Sequence, residues 1–388
     1  MADISFLIGS GFSIPAGFPS TKQINKKFSS LKGTEIFIHT DMTARFIEPE
    51  KKPDNPRLQY VEEVFIERFV KYYCEQVIDE GDFNYERFYD YYHSQYRLNQ
   101  YSRKLDQFLS AFKEEFKYNR DHLNVLSHFD ISFNQLLKNY IQLSNPQGDI
   151  QDNYLAFSRL VNSLIDGNIV HLHTLNHDLL LESFNDNFFG GYLSDGFEDL
   201  GSPYYGKMKE DYMVRLPRFT NKYIGRHRLY KLHGSLDLYE FFHDQDLDII
   251  KTKYGVGLSD FYKEIEVSGE LKYHNHWTEL VPKFLTGTLE KTVQYKRRYF
   301  KDIIDHFIQN LTNSELLIII GYGFGDREIN RILNEKYIEM EKKVLIISQS
   351  TPVADSYHDI ISLDYVNHYH RNIEEMDFDE VVKTLDYK

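Results

Sequence analysis

Short apolar runs followed by glycine or polar residues recur along the chain. The runs occupy residues 4–8, 169–174, 229–232, 316–320 and 344–347, and the turns at their ends contain Gly9, Thr174, His233, Gly321 and Ser348. Runs of this length, bounded by turn residues and separated by amphipathic stretches, are typical of buried parallel strands that alternate with helices. The pattern therefore predicts an α/β fold, a Rossmann-like parallel sheet with helices on both faces.

One long stretch interrupts this alternation. Residues 58–143 contain no proline and a single glycine, and their apolar positions recur at helical spacing. We expect residues 33–149 to form a mostly helical insertion. The flanking parts, 1–32 and 150–388, would then fold together as one discontinuous core. Residues 240–290 show no clear pattern.

Composition narrows the class of protein. Hydrophobic residues make up 41% and aromatic residues 15% of the 388 residues, which is typical of a globular protein. The net charge of −14 argues against direct nucleic-acid binding, which requires concentrated lysine and arginine. The single cysteine, Cys74, excludes an internal disulfide and a zinc site of four cysteines. No apolar segment approaches the ~20 residues that span a bilayer, and Asp3 stands where a signal peptide would be basic, so we expect a cytoplasmic protein without a membrane partner.

The turns that follow the predicted strands would meet at one edge of the sheet, where open parallel α/β sheets bind their ligands. In the first turn, residues 9–13, glycine would let the backbone approach a phosphate, and the next helix would offer free N–H groups. Asn176 and Asp178 follow the second strand, where they either contact a ligand or cap the next helix. His233 follows the third strand and is a candidate general base, the alternative being a structural histidine.

Two histidine pairs have the spacing of metal ligands. His171 and His173 would lie on one face of a strand, and His274 and His276 form a second pair. Neither pair is accompanied by a third ligand at a fixed spacing, so we expect no metal. The sequence also lacks a P-loop and a Gly-x-Ser-x-Gly elbow, which argues against a P-loop ATPase and an acyl-serine hydrolase.

Taken in order, the turns resemble the motifs of the sirtuin superfamily. Residues 9–13 and 17–19 are similar to the sirtuin Gly-Ala-Gly-Ile-Ser and Gly-Ile-Pro-Asp-Phe-Arg, residues 174–178 to Thr-Gln-Asn-Ile-Asp, His233-Gly234 to His-Gly, and Gly321-Tyr322-Gly323 to Gly-Thr-Ser. The chain departs from the superfamily in three places. Ser20-Thr21-Lys22 replaces Asp-Phe-Arg, Leu175 replaces the glutamine, and the two Cys-x-x-Cys pairs that hold zinc in sirtuin deacylases are absent.

These departures, the helical insertion and the Gly-Tyr-Gly-Phe-Gly-Asp turn at 321–326 resemble the sirtuin-like NADases of bacterial anti-phage defence. The resemblance implies that NAD is the substrate and that its nicotinamide–ribose bond is hydrolysed to nicotinamide and ADP-ribose. It also implies an enzyme gated by homo-oligomerisation or by a partner, a HerA-type ATPase. The alternatives are a zinc-independent NAD-dependent protein deacylase, a non-catalytic sensor of NAD or ADP-ribose, and a metal hydrolase that uses His171 and His173.

The resemblance also implies roles for individual residues. Asn176 would orient the ribose and the attacking water, His233 would act as the base, and Asp178 would bind the nicotinamide carboxamide. The first turn would hold the pyrophosphate through its backbone N–H groups. The remaining residues expected to bind NAD are Gly9, Ser10, Gly11, Phe12, Ser13, Phe18, Pro19, Thr174, Gly321, Tyr322, Gly323, Phe324 and Ser348.

Overall fold

Strands and helices alternate through the chain. The computed structural model describes residues 2–54, 56–79, 81–143, 150–243, 246–275, 281–285, 298–349, 358–360 and 362–386. The strands are β1 (Asp3–Ile8), β2 (Ile36–Ile38), β3 (Ala44–Phe46), β4 (Ile169–Thr174), β5 (Leu193–Ser194), β6 (Gly196–Glu198), β7 (Tyr204–Lys207), β8 (Met213–Arg215), β9 (Arg218–Lys222), β10 (His227–Lys231), β11 (Leu238–His243), β12 (Asp246–Lys251), β13 (Phe261–Val267), β14 (Glu270–Asn275), β15 (Ser314–Ile320), β16 (Lys343–Ile347) and β17 (Val366–Tyr369). The helices are α1 (Thr21–Ser29), α2 (Arg57–Gln76), α3 (Tyr85–Leu98), α4 (Arg103–Phe116), α5 (His122–Leu143), α6 (Ile150–Leu164), α7 (Leu180–Asn187), α8 (Arg298–Asn313), α9 (Arg327–Lys336) and α10 (Phe378–Asp386). None of these described helices is long and apolar enough to cross a membrane.

Seven strands form one parallel sheet in the order β17-β16-β15-β1-β4-β10-β5. β1 is central, and its residues from Ile4 to Ile8 are buried, as expected of an apolar run in a parallel strand. Ile8 pairs with Thr174 of β4 and with Ile320 of β15, so the turns after these three strands begin side by side. The predicted α/β fold with a Rossmann-like parallel sheet is confirmed, and the short strands β5 and β17 extend it at its edges.

Helices cover both faces of this sheet. On one face, Phe307 of α8 packs in the same cluster as Leu7 of β1. On the other face, Phe157 of α6 meets the ring of Phe6 edge-on, with the ring centroids 6.0 Å apart. Successive side chains of a strand point to opposite faces, so β1 serves both layers. Because apolar packing occupies most of both faces, the ends of the strands are where polar side chains can meet a ligand.

Helices α2 to α5, which we call the helical block, pack around an aromatic core of their own. Phe69 of α2 contacts Phe88 of α3 at 5.3 Å and Phe129 of α5 at 4.9 Å between ring centroids. The cluster around these rings is separate from the two clusters that cover the sheet. The domain boundaries at residues 33 and 149 stay predictions, and residues 144–149 lie outside the described residues.

Two small antiparallel sheets lie between β5 and α8 in the chain. Their strand orders are β11-β12-β9-β6 and β14-β13-β7-β8. The strands within residues 240–290 carry many charged residues, which obscures the apolar pattern that marks the parallel strands. Residues 276–280 and 286–290 of this segment lie outside the described residues.

The two histidines of β4 are buried beneath α8. The rings of His171 and His173 lie 6.2 Å apart, and His173 stacks on Tyr230 at 4.7 Å. Burial lowers the pKa of both side chains, that of His171 to about 4. Within the described residues, no group of three or more His, Cys, Asp or Glu side chains is placed to hold a metal ion. His274 is exposed, and His276 lies outside the described residues.

We predict that these buried histidines make the fold less stable in mild acid. The folded state keeps His171 neutral down to about pH 4, whereas an unfolded histidine protonates near pH 6.5, so the unfolded chain binds more protons between these values. The free energy of unfolding should therefore fall as the pH drops from about 6.5 to 4, by about 1.4 kcal/mol for each tenfold difference in proton affinity between the two states.

Urea unfolding between about pH 7 and pH 5 measures this slope. The variant His171→Asn should have a shallower slope than the wild type. His274→Asn, which changes an exposed histidine of β14, is the control and should keep the wild-type slope. An unchanged slope in His171→Asn would contradict the assignment of a neutral core histidine.

Candidate functional site

A cavity of about 840 Å³ lies at the carboxyl ends of β1, β4, β10 and β15. The predicted site residues that line it are Gly9, Ser10, Ser13, Phe18, Pro19, Asn176, Asp178, His233, Tyr322 and Gly323. Those that do not line it are Gly11, Phe12, Thr174, Gly321, Phe324 and Ser348. The structure thus brings the predicted catalytic pair into one cavity with most of the first turn.

The turn after β1 packs directly on the turn after β15, backbone against backbone. Gly9 N–H donates to the carbonyl of Ile320, and Gly11 N–H donates to the carbonyl of Gly321, both at 2.9 Å. A Cβ atom on Gly9 would lie 2.6 Å from the Gly321 oxygen, and one on Gly11 would lie 2.8 Å from the Gly321 Cα. Gly321 itself has φ +59°, a left-handed conformation. The glycines are therefore required for contact between two loops.

Hydrogen bonds within the protein use most of the backbone donors that were expected to hold a phosphate. Besides Gly9 and Gly11, Phe12 N–H donates to Gly9 O at 3.0 Å and Ser13 N–H donates to Ser10 O at 3.1 Å. In the described part of the chain, Ser10 is the one residue among these five whose N–H shows no such bond. The first turn therefore offers a ligand far fewer N–H groups than its glycine content suggested.

Asn176 links the turn after β4 to the turn after β1. Its Nδ2 donates to the carbonyl of Gly9 and to Ser13 Oγ, each at 3.0 Å, and its backbone N–H donates to Thr174 Oγ1. Both Nδ2 hydrogens are thereby used, and the amide orientation is fixed. Within the described residues Oδ1 has no hydrogen bond, so this acceptor is available to a hydroxyl group or a water molecule in the cavity.

Asp178 lines the cavity and lies two residues before α7, whose N-cap residue is Leu179. Its Oδ1 accepts from Leu180 N–H at 3.0 Å, as in an Asx turn. Its backbone carbonyl accepts a hydrogen bond from Lys231 Nζ, which lies 3.4 Å from Glu182 Oε1. Burial raises the pKa of Glu182, while Lys231 and Lys251 act in the opposite direction. The buried ion pair of Lys231 and Glu182 thus anchors the turn after β4 through the Asp178 carbonyl.

His233 lies at the end of β10 and faces the turn after β15. Its Nε2 is 3.2 Å from Asp326 Oδ2, and the two side chains are 6% and 10% exposed. The ring of His177 lies 6.2 Å from that of His233. Asp326 and His177 both line the cavity, and neither was predicted from the sequence to belong to the site. The signal for Asp326 was its position as the first polar residue after a glycine-rich turn.

The wall of the cavity is formed partly by the helical block. Tyr85 and Arg87 of α3 and Ile141 of α5 line it, and so do Arg327 and Arg331 of α9. These residues were missed because nothing in their local sequence indicates a site. Only the packing of the helical block against the sheet brings them to the cavity.

Ser348 was expected on the adenosine side, but it lies away from the cavity. It follows β16, which β15 separates from β1 in the sheet, and its Oγ lies 3.0 Å from His368 Nε2. Phe12 is fully buried, with its ring 4.8 Å from that of Phe157. Thr174 and Phe324 are buried as well, and none of these three side chains lines the cavity.

Comparison with known proteins places the chain in a family. The family model described as a SIR2-like domain matches residues 170–368, just over half of the chain. This chain belongs to the SIR2-like domain family. The sirtuin-like part of the sequence resemblance is thereby confirmed.

Among solved structures, the SIR2-like protein is similar to a mutant Sir2 homologue in complex with ADP ribose. The identity is 11% and the TM-score 0.39, over 99% of this chain and 92% of that chain. It is also similar to a Sir2 homologue in complex with NAD, at 10% identity and a TM-score of 0.37, over 99% and 90% of the two chains. The comparison with curated protein sequences gave no match.

The contact between the two glycine turns leads to a prediction about stability. In Gly11→Ala the new Cβ would meet the backbone of Gly321, which cannot move as a flexible side chain would. We expect the SIR2-like protein to lose about 1–3 kcal/mol of stability, the usual cost of overpacking.

Denaturant unfolding of Gly11→Ala and Gly325→Ala tests this. Gly325 lies in the turn after β15 with open space around its Cβ position and no positive φ, so it is a matched control. Equal midpoints for the two variants would mean that the close approach of the two turns does not exist in solution.

Proposed function

We propose that this SIR2-like protein hydrolyses NAD at the nicotinamide–ribose bond and releases nicotinamide and ADP-ribose. Family membership supports NAD as the substrate. The observation that carries the proposal is the meeting of Asn176 and His233 in one cavity of about 840 Å³. A cavity of this size is within the range of small-molecule and cofactor sites.

The geometry supports a division of labour between the two residues. Asn176 Oδ1 would accept a hydrogen bond from a ribose hydroxyl or from the attacking water, since its Nδ2 is already engaged. His233 would take the proton of that water as the bond to nicotinamide breaks. The water oxygen joins the anomeric carbon, neutral nicotinamide leaves, and one proton is released to the solvent. The ribose passes through an oxocarbenium-like state, as in glycoside hydrolysis.

The remaining cavity residues would place the two ends of the dinucleotide. Asp178 Oδ1 already accepts from Leu180 N–H, so its other oxygen would accept from the nicotinamide carboxamide. Tyr322 and Gly323 line the cavity on the α9 side and would contact the adenosine half. Because few N–H groups of the first turn are available, we assign the pyrophosphate to Ser10, Arg87 and Arg327, since Arg331 is bound by Glu328 and Glu335.

We predict that the catalytic variants lose turnover. His233→Gln and Asn176→Ala should lower the rate of NAD loss by at least about 10²-fold, the usual contribution of a positioned acid–base group. Chromatography of purified protein incubated with NAD measures the rate. Asn176→Ala also removes two hydrogen bonds to the first turn, so its fold is checked by circular dichroism.

His274→Gln is the matched control, because this exposed histidine lies outside the cavity lining and should leave the rate unchanged. Wild-type turnover in His233→Gln would remove the proposed base. Binding of NAD without turnover in any assembly state would indicate a sensor, turnover only with an acylated peptide a deacylase, and inhibition by a chelator a metal hydrolase. Each of these three results contradicts the proposal.

We further propose that the NADase is gated and acts in anti-phage defence, because unrestrained loss of NAD would harm the cell that makes it. Tyr85 and Arg87 of α3 line the cavity, so a shift of the helical block would change the site directly. Homo-oligomerisation or docking of a HerA-type ATPase would be the trigger.

This leads to a prediction about assembly. NAD consumption by the purified protein should rise when it is mixed with the ATPase or concentrated into an oligomer, with the assembly state followed by mass photometry. The same rate per chain in every assembly state would contradict gating.

A further inference from the structure

Asp326 is held in place by the start of α9. Its Oδ1 accepts from the backbone N–H groups of Glu328 and Ile329, at 3.0 and 3.1 Å. Oδ2 of the same carboxylate lies 3.2 Å from His233 Nε2, a charge contact without hydrogen-bond geometry. One oxygen thus fixes the helix start while the other faces the proposed base.

The turn that carries Asp326 is braced by neutral hydrogen bonds. Tyr322 Oη donates to Asn330 Oδ1 at 2.8 Å, and Asn330 Nδ2 donates to Phe324 O at 2.8 Å. Burial raises the pKa of Tyr322, so its hydroxyl stays protonated and remains a donor. The carboxylate cannot turn away from His233 without breaking the cap of α9.

A neutral imidazole carries a proton on one nitrogen and a lone pair on the other. A carboxylate beside Nε2 favours the tautomer with hydrogen on Nε2, and this leaves the lone pair on Nδ1. If Nδ1 then takes a proton from water, the ring gains a positive charge next to the carboxylate. Asp326 and His177 are the titratable neighbours of the ring that the described contacts identify.

We propose that Asp326 is a positioning residue that fixes the tautomer and orientation of His233 and stabilises its protonated form. Asp326 acts through His233 and does not contact NAD. The effect of this pair on turnover rests on the proposed function, whereas its effect on the tautomer does not.

The tautomer is measured first, by ¹⁵N NMR of the imidazole signals in the full chain. The signals of His233 are identified as those missing from His233→Gln. The wild type should show hydrogen on Nε2. In Asp326→Asn the cap of α9 is kept, because Asn caps as well as Asp, but the amide has no charge and can present a donor to Nε2. The proposal expects loss of the Nε2–H form in that variant, and an unchanged tautomer overturns it.

Kinetics provide the second readout. Asp326→Asn should lower kcat by about 10²-fold or more and leave KM unchanged. The loss should not exceed that of His233→Gln. Added to His233→Gln, it should cause no further loss, since it acts through that residue. Asp326→Ser keeps a capping side chain that is too short to reach Nε2, and it should match Asp326→Asn in kcat.

Three kinetic results would overturn the proposal that Asp326 acts through His233. A rise in KM at constant kcat would mean that Asp326 contacts the substrate. Additive losses in the double variant, or an Asp326→Ser enzyme as active as the wild type, would mean that it acts independently of His233. If the wild type does not consume NAD at all, the proposed function fails, and the tautomer measurement still decides whether Asp326 positions His233.

Discussion

The contact between the backbones of the first turn and the turn after β15 determines the shape of the site. Two N–H groups of the first turn donate to carbonyls at the end of β15. The two backbone segments approach each other so closely that a Cβ atom would not fit between them. Asn176 then binds the first turn from the other side. The turn after β15 in turn carries Asp326 toward His233. Four strand ends are therefore connected through one pair of glycine turns.

The frame of this site could be predicted from the sequence because buried parallel strands have a distinct apolar pattern. The runs that contain Ile8, Thr174 and Ile320 became neighbouring strands, and their turns converge. The first glycines also have a structural role that the sequence did not indicate. Glycine permits close approach of any backbone, and the sequence does not distinguish a phosphate from a second loop. The structure places the backbone of Gly321 against them.

Other parts of the site depend on the order of the strands in the sheet and on the packing of helices, which patterns in a single sequence do not show. Ser348 follows a strand much like the others, but β16 lies one position too far from β1. Arg87 and Tyr85 reach the cavity only because the aromatic core of the helical block orients α3. The buried charges around Glu182 come from three separate elements, so only the folded chain brings them together.

The central claim is that NAD binds in this cavity with its nicotinamide ribose between Asn176 and His233. A crystal structure of His233→Gln with NAD tests it most directly, because the variant should bind the dinucleotide without consuming it. The account predicts a ribose hydroxyl or an ordered water about 2.6–3.2 Å from Asn176 Oδ1, with the anomeric carbon facing residue 233. NAD bound elsewhere, or bound with its nicotinamide beside Arg87, would contradict it.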